Sequence, residues 1–140
     1  MPDVVHDLRE AATGAFSRTP VVFAYLFGSH ATGRTYPWSD VDIAVMMGPD
    51  WDGEVVETML DLAGRIEAAA RVGNVDVLIL NRAPLRLQGR VLREGKKVYS
   101  CDEPARVAWA SRTFREWADF EYHAAEIDRA YLKAIAEGRR

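Results

Sequence analysis

Three carboxylates and one glycine-serine pair are the residues with which this chain could do chemistry. Asp40 and Asp42 stand two residues apart in the run SDVDIAV, 39–45. If that run is a strand, both side chains leave the same face, because successive residues alternate. Two carboxylates so placed repel each other unless a cation sits between them. Oxygen donors of this kind suit a hard divalent ion such as Mg²⁺. Asp76 stands alone among apolar residues in NVDVLIL, 74–80. It is either a strand-end carboxylate on a solvent face or, on a strand beside the first, a third member of the same cation cluster. Three carboxylates around two metal ions suit phosphoryl or nucleotidyl transfer.

Gly28-Ser29 supplies the other half of such a site. A glycine lets the backbone come close to a phosphate, and N–H groups at the start of a following helix favour its negative charge. The Ser29 hydroxyl adds a donor. Taken singly, Gly-Ser is an ordinary turn and Asp-x-Asp an ordinary solvated one. Ten residues separate Ser29 from Asp40. A match at all four positions arises by chance in on the order of one chain in a thousand, so the spacing outweighs either motif alone.

These residues need rigid elements behind them. Val21 to Phe27 is apolar, β-branched and aromatic, and reads as a buried strand ending at Gly28. Residues 28–35 form a turn with one short helical turn, 29–33. Val41 to Met47 is a second strand, covered on both faces. Asn74 to Leu80 is a third, and Lys96 to Ser100 a short edge strand whose two lysines discourage further pairing. Helical periodicity runs from Asp3 to Ser17, from Asp52 to Arg71 with Gly73 as its cap, and from Ala83-Pro84 to Glu94-Gly95. Asp3 is positioned to cap the first helix. Glu103 to Glu137 is one long helix or two joined ones. Residues 1–100 are expected to form a catalytic domain and 101–140 a helical extension packing on it or on a partner.

Length and composition set the outer bounds. The chain has 140 residues, 49% hydrophobic and 28% charged, enough for a core that buries roughly 68–70% of the unfolded surface. Its net charge is −3, with no basic block before the last two residues. Binding to nucleic acid through phosphate neutralisation is therefore not expected. The lone Cys101 rules out an intrachain disulfide and a multi-cysteine zinc site. His6 and His123 are too scattered to suggest a metal site. No apolar stretch reaches ~18 residues and no signal-peptide pattern opens the chain, so a cytoplasmic location is expected and no membrane partner.

Gly-Ser, ten residues, Asp-x-Asp and a later strand carboxylate resemble the signature of the DNA polymerase β-like nucleotidyltransferase superfamily. The stretch Val21–Ser100, ending in VLREGKKVY at 91–99, is similar to the minimal nucleotidyltransferases, the MNT group. The resemblance implies an α+β fold, a small mixed β-sheet flanked by helices, here with a long C-terminal helical segment. It implies ATP as substrate and two Mg²⁺ ions held by Asp40, Asp42 and Asp76, with Asp76 also helping to deprotonate an acceptor hydroxyl. Gly28 and Ser29 would cradle the β- and γ-phosphates. Many relatives carry arginines just after Gly-Ser; here His30 and Thr32 occupy those places, and Arg34 is the nearby cation left for the triphosphate. His30 is better read as phosphate-side or exposed than as a base. Tyr36 and Trp38 pack the loop or stack on a base.

The same resemblance implies a partner. The MNT group is typically paired with a HEPN-domain protein, as the antitoxin of a toxin–antitoxin system, and can transfer AMP to a tyrosine of the HEPN ribonuclease. Trp109, Phe114, Trp117, Phe120, Tyr122 and Tyr131 make the C-terminal segment rich in aromatics, which suits either a protein interface or a cover for the chain's own sheet. Neutralisation by binding alone and transfer to a small molecule such as an antibiotic are the alternatives.

Overall fold

Apolar runs rich in Val, Ile and Phe fill both faces of a sheet, and the segments between them carry the helical period. The structure, a computed structural model, describes residues 4–33 and 40–138. In chain order the elements are α1 (Val4–Phe16), β1 (Val21–Phe27), α2 (Ser29–Thr32), β2 (Val41–Met47), α3 (Val55–Ala70) and β3 (Val75–Ile79). A 3₁₀ turn (Leu80–Arg82), α4 (Leu85–Glu94), β4 (Lys96–Ser100) and α5 (Glu103–Ala136) follow. The strand order is β3-β2-β1-β4. β1 runs antiparallel to β2 and β4, while β2 and β3 are parallel. The fold is thus α+β with a mixed sheet, and the lysine-bearing β4 is an edge, as expected.

Alternation along the strands divides the interior in two. Ile43, Val45 and Val77 face a core completed by Leu8, Ala12 and Phe16 of α1 and by Leu62 and Ile66 of α3. Phe23, Tyr25 and Ala44 face a second core closed by Leu80, Val91 of α4 and Trp109 of α5. Each fully buried large side chain contributes about 1.5–3 kcal/mol relative to exposure. Both faces of β2 are therefore covered. A bulge in β1, between Val21 and Phe23, lets Val21 join the first core and Phe23 the second.

Element ends differ from the sequence expectation where side chains take over the backbone's hydrogen bonds. α3 begins at Val55 rather than Asp52, because Asp52 Oδ1 accepts the Glu54 N–H at 2.9 Å and Gly53 sits at φ 83°. It ends at Ala70, and Arg71 rather than Gly73 takes the left-handed cap, at φ 55°. β3 stops at Ile79. Beyond it Asn81 continues the pairing through its side chain: Oδ1 accepts the Met47 N–H at 2.8 Å and Nδ2 donates to the Met47 carbonyl at 2.9 Å. The expected Asp3 cap lies outside the described residues.

α5 is one helix of 34 residues, about 51 Å long. Its first turns belong to the second core. Trp109 is 2% exposed, tilts against Phe23 and Tyr25 and donates from Nε1 to Gln88 Oε1 at 2.8 Å. Trp117 lies on Gly89 of α4, where a Cβ would overlap its ring. Farther on, Tyr122, Ile127, Tyr131 and Leu132 are all exposed. The aromatics therefore divide: Trp109 covers the sheet and Trp117 lies on α4, while Phe114, Phe120, Tyr122 and Tyr131 are exposed.

One charged junction ties α5 to the sheet. Glu103 accepts from Lys97 Nζ at 2.8 Å and from Ser100 Oγ at 2.7 Å, and it pairs with Arg106. Arg106 in turn donates from Nη1 to the Tyr25 hydroxyl at 2.9 Å. Hydrogen bonds from Arg106, then Lys97 and Ser100, hold the Glu103 carboxyl well below the usual carboxylate range. A depressed folded value means stability that is present above the unfolded carboxylate value, about 4.3, and is lost as pH falls below it. Glu103→Gln should therefore lower Tm near pH 6, and the gap from the parent chain should narrow between pH 5 and 3. Circular dichroism melts across that range test this; a constant gap contradicts it.

Candidate active site

The site forms where β1 ends and β2 and β3 begin. Phe27, the last residue of β1, pairs with Asp42, so the chain turns at Gly28 directly over that carboxylate. Gly28 adopts φ 74°, ψ −153°, a region open essentially to glycine. A Cβ at this position would overlap Asp42 Oδ2. Bare backbone thus lies against the Asp42 carboxylate. Ser29 opens α2, which Gly33 closes at φ 79° with its N–H bonded to the Ser29 carbonyl. Four residues are too few for an appreciable helix dipole. What the turn offers a phosphate is local N–H and hydroxyl groups.

The carboxylates arrive from two strands. Asp42 and Asp76 are direct partners in the parallel β2–β3 register, on strands about 4.8 Å apart. Asp40, just before β2, is exposed, Asp42 is half-buried and Asp76 is exposed. Burial, then the charge of Asp76, then that of Asp40 raise the Asp42 carboxyl above its ordinary value; His30 and Arg90 act in the opposite sense. Asp42 thus feels both of the other carboxylates. His30 is half-buried beside them. Arg34, Tyr36 and Trp38 lie outside the described residues. Sequence reasoning passed over Arg90 of α4, whose signal was the spacing of Arg86, Arg90 and Arg93.

The donor set suits Mg²⁺ when part of the coordination comes from elsewhere. Among the described residues no group of three or more His, Cys, Asp or Glu could hold a metal ion unaided. Mg²⁺ is commonly bound by one or two carboxylates together with substrate phosphates and water rather than by a protein cage. The Asp42 carboxyl is raised first by burial and then by the negative charge of Asp76 and Asp40, and a cation relieves that excess of charge.

That excess predicts a trade of stability for binding. Asp42→Asn removes the charge and keeps the shape, so without divalent ions it should raise Tm by about 2–4 °C. Millimolar Mg²⁺ should stabilise the parent chain and leave the variant unmoved. Equal Mg²⁺ shifts in both melts contradict a metal role for Asp42.

No curated protein sequence matches the chain. Solved structures do. A chain from a toxin–antitoxin structure with AMP-PNP superposes with a TM-score of 0.65 at 21% identity, covering 92% of this chain and 98% of that one. A chain from the complex of a tri-AMPylated Shewanella oneidensis HEPN toxin with MNT antitoxin gives 0.64 at 19%, covering 92% and 99%. A chain of the toxin–antitoxin pair MntA-HepT gives 0.59 at 20%, covering 91% and 96%. At these identities the likeness establishes the fold. A family model described as Polymerase beta, Nucleotidyltransferase matches residues 12–104. That match spans the Gly28-Ser29 turn, Asp40, Asp42 and Asp76, and the chain belongs to the polymerase beta nucleotidyltransferase family.

Proposed function

We propose that this chain is the antitoxin of a toxin–antitoxin pair and transfers AMP from ATP to a hydroxyl, a tyrosine by preference, of a HEPN-domain ribonuclease. The observation that carries the chemistry is the pairing of Asp42 with Asp76 under the Gly28 turn. Support for the partner comes from likeness along nearly the whole chain, α5 included, to chains from toxin–antitoxin complexes. The exposed apolar residues late in α5 offer a surface for such a partner.

Asp40, Asp42 and Asp76 would hold two Mg²⁺ ions. Bound there, the metal supplies positive charge to the phosphoryl oxygens as negative charge develops on them. Gly28 and Ser29 hold the β- and γ-phosphates and so orient the α-phosphate toward the open side of the sheet edge. The acceptor oxygen bonds to the α-phosphorus as the bond to pyrophosphate breaks. The hydroxyl proton passes to a carboxylate, and we assign that role to Asp76, which is exposed. Positioning in this way supplies much of the acceleration.

A second reading is favoured by the exposed face of α5: neutralisation of the same partner by contact, without transfer. One experiment separates the two. The chain, α-labelled ATP, Mg²⁺ and the HEPN partner are mixed, and label on the partner is followed. Transfer should occur with the parent chain and fall by about 10²–10³-fold with Asp42→Asn. Inhibition of the ribonuclease without any label supports contact alone, and undiminished label with Asp42→Asn contradicts the carboxylate mechanism.

A further inference from the structure

The nucleotide brings the site a problem of charge. A triphosphate carries about four negative charges at neutral pH, and it must approach three carboxylates. Among the described residues the Gly28–Gly33 turn carries His30 and no arginine. The topology delivers a cation from another direction. β2 and β3 start at the site, so the 3₁₀ turn after β3 lies at the far end of the sheet. α4 then returns toward the site, because β4 begins immediately after it with Lys96 opposite Leu26, next to the end of β1. The last turn of α4 therefore stands at the same end of the sheet as Gly28 and Asp42, on its β1–β4 side.

α4 also lies on the same face of the sheet as the carboxylates. Val91 is fully buried with Ala44, and Ala44 follows Asp42 on that face of β2 by the alternation of the strand. α4 carries Arg86, Arg90 and Arg93, all exposed, on the stripe that also holds the buried Gly89. Spacings of four and three put them on one helical stripe. Arg90 is the member in electrostatic range of Asp42. Its Nε is held by Glu94 Oε2 at 3.2 Å, an i, i+4 pair that uses one of its five N–H donors.

We propose that Arg90 binds the nonbridging oxygens of the nucleotide's triphosphate, supplying a cation from α4. Glu94 orients the guanidinium from one side, and the terminal nitrogens reach the phosphates. A planar guanidinium matches two phosphate oxygens at once, which a lysine cannot do.

This inference rests on the nucleotidyltransferase reading, and the test separates the two. Binding of Mg·AMP-PNP and of AMP is measured by calorimetry on the full chain and on Arg90→Gln, Arg90→Lys, Arg86→Gln and Glu94→Gln. Arg90→Gln should weaken AMP-PNP about tenfold and leave AMP unchanged. Arg90→Lys should recover part of the loss, Arg86→Gln should stay within about twofold of the parent, and Glu94→Gln, which loosens the guanidinium, should fall between the parent and Arg90→Gln. Melts of each variant show whether α4 remains docked. A loss for AMP and AMP-PNP alike, or an equal loss for Arg86→Gln, overturns the assignment, since either marks a structural or diffuse charge effect. Unchanged AMP-PNP affinity in Arg90→Gln overturns the Arg90 role alone. No AMP-PNP binding by the parent chain overturns the nucleotidyltransferase reading and this inference with it.

Discussion

Like charges held side by side at a sheet edge are the constraint on which this structure depends. Asp42 and Asp76 are neighbours across a parallel pair, and Asp42 is half-buried with its charge opposed by both other carboxylates. Such an arrangement destabilises the folded state. It persists because the strands behind it cannot move. Ile43, Ala44 and Val45, the residues that follow Asp42, are 0% exposed and are clasped between two cores. The repulsion at the edge is offset by apolar burial one residue away, and a rigid pair of strands keeps the carboxylates in place.

The turn above them follows from the same need for close approach. Gly28 is a backbone solution to a packing problem: any side chain there would strike Asp42. α4 addresses the problem of charge. It leaves the far end of the sheet, returns along the face that carries the carboxylates, and brings Arg90 within electrostatic range of Asp42. Gly95 lets the chain pass from α4 into β4, since a Cβ there would overlap the Val91 carbonyl and come within 3.3 Å of Tyr25. α5 then locks the far side through Trp109 and the Glu103–Arg106–Tyr25 junction.

Much of the site was legible in the sequence because a spacing rule and a strand period reported the same geometry. Gly28, Ser29, Asp40 and Asp42 fell at the ends of runs whose bounds, Val21–Phe27 and Val41–Met47, are those of β1 and β2. Asp76 was conspicuous as a charge in an apolar strand, and local rules of this kind are most often broken where a protein has work to do. Arg90 was not legible, because its place depends on the direction in which α4 returns, a property of topology. The ends of α3 and β3 were missed for another reason: Asp52 and Asn81 hydrogen-bond the backbone through their side chains, which periodicity does not register. The aromatics of α5 could not be divided in advance, since Trp109 and Tyr131 share a helix and differ only in what lies beside them.

The central claim is that three carboxylates from two strands act as one metal-dependent nucleotide site. Crystals of the chain grown with Mn²⁺ and AMP-PNP test it most directly, by the anomalous scattering of the metal. The account predicts manganese peaks in contact with Asp40 and Asp42, with Asp76 beside them and the triphosphate against the Gly28-Ser29 backbone. Nucleotide bound elsewhere on the chain, or manganese that avoids these carboxylates, would contradict it.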